Sequence, residues 1–226
     1  MAGDGRLKIK NALISVSNKR GLEELVTFLD QNNVSIFSTG GTAKFIESLH
    51  INVKQVSEIT NYPEIMDGRV KTLNPLIYGG ILNRKGIDDH VQKEHGMINL
   101  DLMVINLYPF EETISGNNVT ELDAIENIDI GGPSMIRASA KNFYNKAVLT
   151  HPDDYGSFIN ELQNNDCSIS EETRRNLAVK AFNRTAMYDS IIHDFLSEKI
   201  EKESIPEAIP LGLKKISSLR YGENPH

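Results

Sequence analysis

The sequence predicts an α/β fold in which a mostly parallel, twisted sheet is flanked by helices and followed by a helical C-terminal part. Two observations support this prediction. Short β-rich apolar runs alternate with helix-spaced apolar residues in the first fifty positions, and residues 102–107 form a further apolar run typical of a buried central strand. Two consecutive strand-loop-helix units favour parallel strands, because each helix carries the chain back across the sheet.

Composition excludes several classes of protein. The chain has 226 residues, 39% hydrophobic and 24% charged, so it can form one large domain or one domain with an appendage. The sequence contains no signal-peptide core and no membrane-length apolar run, and its formal net charge of -7 argues against nucleic acid as a partner. Cys167 is the single cysteine and has no metal-ligand spacing around it. We therefore expect a cytoplasmic protein.

Polar loops follow the first two predicted strands. Residues 11–16 form the first strand and lead into Ser17-Asn18-Lys19, and residues 34–38 form the second and lead into the loop 39–42, which is Thr39-Gly40-Gly41-Thr42. In parallel sheets such loops lie at the carboxyl edge, where helix N-termini favour anions. Glycines that let the backbone approach closely, together with hydroxyl donors, suit a monophosphate. Alternatively, the glycines only make a tight turn.

A third loop spans residues 67–75 and carries Arg69, Lys71 and Thr72 between Gly68 and Pro75. A planar guanidinium, a movable ammonium and a hydroxyl together can bind a phosphate or a developing oxyanion. The alternative is a solvated basic turn.

Several further segments complete the predicted sheet and its connections. Residues 53–56 and 147–149 are expected to be short strands, and the paired glycines within residues 76–82 suit a bend. His90 and His95 lie in a polar segment without carboxylate partners at metal-ligand spacing, so a surface or helix role is expected and no metal site. Tyr108-Pro109 ends the central strand, either at a site or simply in a turn.

Residues 127–142 form the second informative stretch. Gly131 and Gly132 followed by Pro133 predict a helix start, which puts Asp129 beside a helix N-terminus. Arg137 and Lys141 then share a helix face. About 12 Å of helix rise separates Lys141 from Pro133, so contact with Asp129 would require a bend or a long reach of the lysine.

The C-terminal part is predicted to be helical. Residues 153–163 fit one helix, Ser168 to Glu171 match a capping box, and a long amphipathic run extends to about residue 199. Its apolar residues are expected to serve the core and subunit packing. Two prolines within residues 204–210 predict a linker.

Six motifs occur together in this order: Ser15-Val16-Ser17-Asn18-Lys19, Ser38-Thr39-Gly40-Gly41-Thr42, Gly68-Arg69-Val70-Lys71-Thr72-Leu73, Asn106-Leu107-Tyr108-Pro109-Phe110, Ile128-Asp129-Ile130-Gly131-Gly132 and Ala140-Lys141-Asn142. The series resembles the inosine monophosphate (IMP) cyclohydrolase domain of the bifunctional purine-biosynthesis proteins that also carry AICAR transformylase. The resemblance implies a methylglyoxal-synthase-like (MGS-like) fold over residues 1–203, a homodimer, and no metal or organic cofactor. Residues 204–226 are expected to be a linker and a truncated start of the transformylase domain, since residues 219–226 resemble its opening.

The reaction implied by the resemblance is closure of formyl-AICAR to IMP with loss of water. Lys71 and Tyr108 would polarise the formyl oxygen, and Asp129 and Lys141 would relay the amide proton. Substrate binding would fall to residues of the five strand-end and helix-start loops: Ser17, Asn18, Lys19, Thr39, Gly40, Gly41, Thr42, Arg69, Val70, Thr72, Asn106, Leu107, Ile130, Gly131 and Gly132.

The sequence departs from the family pattern at three positions. Asn74 and Tyr78 replace two usual histidines, and Arg184 replaces a third, so histidines are poor candidates for acid–base work. Two other functions remain open. A regulatory MGS-like domain would share the phosphate loops without needing the acid–base set, and a methylglyoxal-synthase-like lyase would act on a triose phosphate.

Overall fold

The fold is built on a five-stranded parallel sheet, seen in a computed structural model that describes residues 5–63, 65–66, 70–116, 119–197 and 208–218. The strands are β1 (Leu7–Lys8), β2 (Asn11–Val16), β3 (Ser35–Ser38), β4 (Val53–Gln55), β5 (Leu102–Asn106), β6 (Ala147–Leu149) and β7 (Ser168–Ile169). The helices are α1 (Leu22–Gln31), α2 (Gly40–Ser48), α3 (Val56–Thr60), α4 (Pro75–Leu82), α5 (Asp89–Glu94), α6 (Phe110–Ile114), α7 (Glu121–Glu126), α8 (Gly131–Lys141), α9 (Tyr155–Asn164) and α10 (Glu171–Ser197). The predicted α/β class is thus confirmed.

The strand order of the sheet creates a crevice at its carboxyl edge. The order is β4-β3-β2-β5-β6, so the chain first winds outward from β2 and then continues on the other side of it. Val16 at the end of β2 pairs with Asn106 at the end of β5. Where the winding direction reverses, the loops after the two neighbouring strands separate and leave room for a ligand. The site is therefore expected after β2 and β5.

Helices cover both faces of the sheet, which explains the nearly continuous apolar strands. Leu13 faces the layer formed mainly by α4, α8 and α10, while its neighbour Ile14 faces α1 and α9. Both side chains are fully buried. Each buried side chain of this size contributes about 1.5–3 kcal/mol, which outweighs the weak propensities of such short strands.

A buried polar cluster ties together the amino edge of the sheet. One carboxylate oxygen of Asp101 accepts hydrogen bonds from two backbone amides at the start of β2, including that of Asn11 at 3.0 Å. The Lys146 ammonium donates to the side-chain oxygens of Asn83 and Asn99, each at 2.6 Å. Burial raises the pKa of Asp101 and lowers that of Lys146 to about 8. The cluster joins β2, β5 and β6 at the edge opposite the crevice.

The glycine pair predicted to bend residues 76–82 lies instead inside helix α4. A Cβ on Gly80 would lie 2.3 Å from the carbonyl oxygen of Ile98, and one on Gly79 would lie 2.3 Å from Sδ of Met97. Glycine is needed here because the following segment packs directly on the helix backbone. Close packing, and not a turn, explains both residues.

Three other sequence predictions need adjustment. Ser168 does not cap a helix, because it pairs with β1, and the amide of Thr173 donates instead to Oγ of Ser170 at 3.2 Å. Helix α8 begins at Gly131, two residues before Pro133. The short helices α3, α6 and α7 were not predicted, because one or two turns carry too little periodicity to recognise. Part of the predicted linker, residues 204–207, and the tail 219–226 lie outside the described residues.

None of the helices in the described ranges is both long enough and apolar enough to cross a membrane.

Candidate active site

The side chain of Asn106 organises the loop after β2. Its Oδ1 accepts hydrogen bonds from the amide of Ser17 at 2.7 Å, from the Ser17 hydroxyl at 3.0 Å and from the amide of Asn18 at 3.1 Å. Its Nδ2 donates to the carbonyl of Asn18 at 2.8 Å. The hydroxyl of Tyr155 faces the same amide, and burial raises its pKa to about 12. Asn106 therefore fixes the first polar loop from the neighbouring strand.

The second polar loop leads into the N-terminus of α2. Gly40 has φ 52°, a left-handed conformation that favours glycine, and Cβ atoms on Gly40 and Gly41 would meet nothing within 4 Å. The first-turn amides of a helix have no intrahelical acceptor, so this open backbone can bind an anion. Thr39 and Thr42 are buried. The hydroxyl of Thr42 already makes two hydrogen bonds within the fold, because Oγ1 accepts from the amide of Val16 and donates to the carbonyl of Val16. It joins the loop to β2.

Lys19 lies on the outer side of the first loop. Its side chain lines an open groove between α1, α2 and α9 together with Phe28 and Phe45. The lysine is half-buried and follows the loop that Asn106 holds. Its carbonyl accepts from the amide of Leu22 at 3.1 Å, which starts α1.

The third loop reaches the beginning of α8. Thr72 is buried, and its hydroxyl would lie 2.9 Å from a Cβ on Gly131, so Gly131 provides the close approach. Val70 forms an isolated antiparallel bridge with Ile65. Arg69 lies outside the described residues. The sequence therefore brings Thr72 to the helix start that carries Asp129.

Asp129 is held by two hydrogen bonds in the turn before α8. Its Oδ1 accepts from the amide of Gly132 at 2.8 Å, an arrangement that satisfies one of the free amides of the helix start. Its own amide donates to the Tyr188 hydroxyl at 2.8 Å. A Cβ on Gly132 would lie 2.4 Å from Oδ2 of Asp129 and 2.9 Å from Cδ2 of Leu107, so only glycine fits between the carboxylate and the end of β5.

The electrostatics of this carboxylate suit a base. Burial raises the pKa of Asp129, while the bond from Gly132 and the positive charge of Lys71 oppose that rise. A carboxylate that is partly desolvated yet still faces a cation is a stronger base than a solvated one. The charge of Lys71 therefore acts on Asp129, and the catalytic roles assigned to both residues stay predictions.

The remaining predicted residues occupy the mouth of the site or lie apart from it. Tyr108 is 51% exposed and Ile130 is 60% exposed, so both are open to a ligand. Lys141 is exposed at the far end of α8, ten residues beyond Gly131 and therefore about 15 Å along the helix axis. The described contacts of Asp129 do not include Lys141.

The three residues that depart from the family pattern differ in their surroundings. Asn74 caps α4, since its Oδ1 accepts from the amide of Leu76 at 2.9 Å. The buried Oη of Tyr78 and Nε of Arg184 have no hydrogen-bond partner among the described residues. Burial, and to a lesser extent the charge of Asp129, raises the pKa of Tyr78.

Sequence reasoning missed Tyr188. It lies on the buried stripe of α10 that includes Ala181 and Thr185, and its spacing indicated only a core position. The signal was the residue type, because a buried tyrosine hydroxyl requires a hydrogen-bond partner.

The fold and the loops at its carboxyl edge define an MGS-like domain. The model of that family, described as "MGS-like domain", matches residues 21–134, which is half of the chain, so the chain belongs to it. A second model, "AICARFT/IMPCHase bienzyme", matches residues 139–226.

Relatives narrow this classification. The chain is 48% identical over 227 residues to the bifunctional purine biosynthesis protein PurH of Xanthomonas euvesicatoria pv. vesicatoria (strain 85-10), covering 97% of this chain and 43% of that protein. It is 50% identical over 219 residues to PurH of Thermoanaerobacter sp. (strain X514), covering 96% and 43%. The crystal structure of ForH matches with a TM-score of 0.76 and 30% identity, over 83% of this chain and 97% of that one. The chain thus spans less than half the length of the two PurH proteins.

Proposed function

We propose that the chain is an IMP cyclohydrolase, which closes formyl-AICAR to IMP with loss of water in the last step of de novo purine biosynthesis. One observation carries the proposal: Asp129, a partly buried carboxylate with a raised pKa, is oriented by the Gly132 amide at 2.8 Å next to the end of β5, close to two phosphate-type loops. The similarity to PurH across 97% of the chain supports the same activity.

The two polar loops are proposed to hold the nucleotide. The open backbone at Gly40 and Gly41 suits the phosphate, and Ser17 and Asn18 present a loop already fixed by Asn106. A preformed loop costs little ordering entropy on binding, so the nucleotide can be gripped at one end while its reactive groups extend toward Asp129. Arg69, Val70, Thr72 and Ile130 are proposed to complete the pocket.

The chemistry needs one base and one cationic or hydrogen-bonding stabiliser. The carboxamide nitrogen attacks the formyl carbon, and its proton passes to Asp129. The formyl oxygen becomes an oxyanion that Lys71 and Tyr108 stabilise, and it takes up the proton held by Asp129 to give a carbinolamine. The C–O bond of that intermediate then breaks, the former formamide N–H supplies the second proton of the departing water, and the C=N bond of the closed ring forms. Because nucleophile and electrophile belong to one molecule, holding the reactive rotamer supplies much of the rate, and the reaction requires no redox group.

Lys141 is proposed to take part in the relay of the amide proton. Its position at the far end of α8 separates it from the proposed base, so its contribution is testable on its own by Lys141→Ala. We further propose that residues 1–203 form the cyclohydrolase domain, that the protein is cytoplasmic, and that it acts as a homodimer.

The test is to incubate the purified chain with formyl-AICAR and follow the ultraviolet change of purine ring closure. We expect Lys71→Ala to lower kcat about 100-fold while KM changes less than about 3-fold, since the lysine acts mainly on the transition state. Lys93→Ala, an exposed lysine on α5, is the matched control and should retain full activity.

Two other results would contradict the proposed activity, and each would favour one of the two alternative functions. Tight IMP binding by calorimetry without ring closure would indicate a regulatory nucleotide sensor. Release of phosphate from a triose phosphate would indicate a lyase. A KM increase with unchanged kcat in Lys71→Ala would contradict the catalytic role of the lysine.

A further inference from the structure

Tyr188 lies beneath the turn that carries Asp129. Its Oη is 2.8 Å from the backbone nitrogen of Asp129, whose N–H donates to it, and the tyrosine side chain is buried. Its ring packs edge-to-face on Phe110, with centroids 6.3 Å apart and planes at 71°. Phe110 follows Tyr108-Pro109 directly. One side chain of α10 therefore supports both segments that carry proposed catalytic groups.

We infer that Tyr188 is a positioning residue for the ring closure, whose hydroxyl fixes the backbone of Asp129 so that its carboxylate keeps the orientation that Gly132 defines. The inference rests on the proposed function. Among the described residues, Oδ1 of Asp129 accepts the Gly132 amide, whereas Oδ2 receives no hydrogen bond. Anchoring both the amide and Oδ1 leaves Oδ2 as the oxygen available to a substrate proton.

The hydroxyl is suited to this task because it remains neutral. Burial above all raises the pKa of Tyr188, and the charge of Asp129 adds to that rise. A neutral phenol can accept from the amide without repelling the neighbouring carboxylate. Tyr78, the second tyrosine near Asp129, does not share the role, since no hydrogen bond joins it to Asp129 among the described residues.

Loss of the hydroxyl should affect geometry more than binding. In Tyr188→Phe the ring still packs on Phe110, but the amide of Asp129 loses its acceptor in a partly desolvated turn. The turn can then rotate, and small displacements of a catalytic group are costly. The nucleotide loops lie on β2 and α2 and keep their own hydrogen bonds, so substrate affinity should change little.

The experiment compares Tyr188→Phe, Asp129→Asn and the double variant. We expect Tyr188→Phe to lower kcat about 10- to 100-fold with KM within about 3-fold, and to have less than about 2-fold further effect in the Asp129→Asn background. Tyr144→Phe is the control, because that phenol is exposed and contacts Arg175 away from the site. Equal losses from Tyr188→Phe in both backgrounds would overturn the inference, as would a change confined to KM.

Amide hydrogen exchange tests the same contact without activity. The Asp129 amide should be protected at least about 100-fold in the unaltered chain, and Tyr188→Phe should remove most of that protection while Tyr144→Phe leaves it. An unprotected Asp129 amide overturns the inference even where Tyr188→Phe fails to fold. If the chain does not close formyl-AICAR, the proposed function fails, and exchange still decides whether Tyr188 anchors Asp129.

Discussion

The amide of Gly132 donates to Oδ1 of Asp129 at 2.8 Å, and a methyl group on the same glycine would lie 2.4 Å from Oδ2. The residue that orients the carboxylate is therefore also the one that leaves space for it. Helix α8 begins at this point because the glycine backbone can pass between Asp129 and Leu107.

Substituting Gly132 by alanine should disturb the carboxylate directly. We expect Gly132→Ala to cost about 1–3 kcal/mol of unfolding free energy, as in other overpacked sites, because Asp129 and Leu107 must both shift. We also expect kcat to fall at least about 10-fold, because the base loses its orientation. Denaturant unfolding and the ring-closure assay measure the two effects.

Gly156→Ala provides the control for that prediction. A Cβ at Gly156 would meet nothing within 4 Å, and the residue lies in α9 with ordinary helical backbone. This variant should be neutral or slightly stabilised. Unchanged kcat and stability in Gly132→Ala would contradict the tight packing around Asp129.

The carboxamide of Asn106 should control nucleotide affinity. In Asn106→Asp the donor to the carbonyl of Asn18 is lost, and a negative charge enters the loop proposed to bind phosphate. We expect IMP to bind at least about 10-fold more weakly by calorimetry, as expected when a charged-ligand site loses a hydrogen bond.

Asn32→Asp is a matched change, because Asn32 also donates its side-chain amide to a carbonyl, that of Phe28 at 2.8 Å. It should leave IMP affinity unaltered. Equal weakening by both substitutions would indicate a general loss of stability and would remove Asn106 from the site.

The activity should fall as the pH is lowered through the pKa of Asp129. Burial raises that pKa above the ordinary 3.8, so the acidic limb of kcat should lie above the pH expected of a solvated aspartate. Lys71 opposes this rise, so Lys71→Ala should move the limb of its residual activity to still higher pH. If the acidic limb of kcat stays in place or moves to lower pH in Lys71→Ala, the charge of Lys71 does not lower the pKa of Asp129.

The buried ammonium of Lys146 should make stability depend on pH. Its pKa is lowered from 10.5 to about 8 in the folded chain, so between these values the unfolded chain binds the extra proton. Stability relative to Lys146→Met should therefore increase by about 3 kcal/mol between pH 8 and pH 10.5, at about 1.4 kcal/mol per unit. Tyrosine titrations occur in both proteins and cancel in the difference. A difference that is flat across this range would mean that Lys146 is solvated.

The sequence predicted the parallel sheet and the loops of the site because its signals are local. Strand β2 and helix α1 begin where the apolar pattern indicates, and parallel strands place the loops after β2 and β3 at one edge. Packing between distant segments could not be predicted in this way. The sequence around Gly80 indicates a bend, whereas in the fold this glycine lets the carbonyl of Ile98 pack against α4. The spacing of Tyr188 indicates only a core position, whereas in the fold its hydroxyl accepts a hydrogen bond from the amide of Asp129.

The polar cluster of Asp101 and Lys146 has a consequence for how this domain can change over evolutionary time. It ties three strands together at the end remote from the crevice, through side chains that are buried. Loops on the opposite edge can be lengthened, shortened or given new side chains while the strands beneath them stay in register. A single scaffold anchored in this way can accommodate successive chemistries without having to fold anew for each.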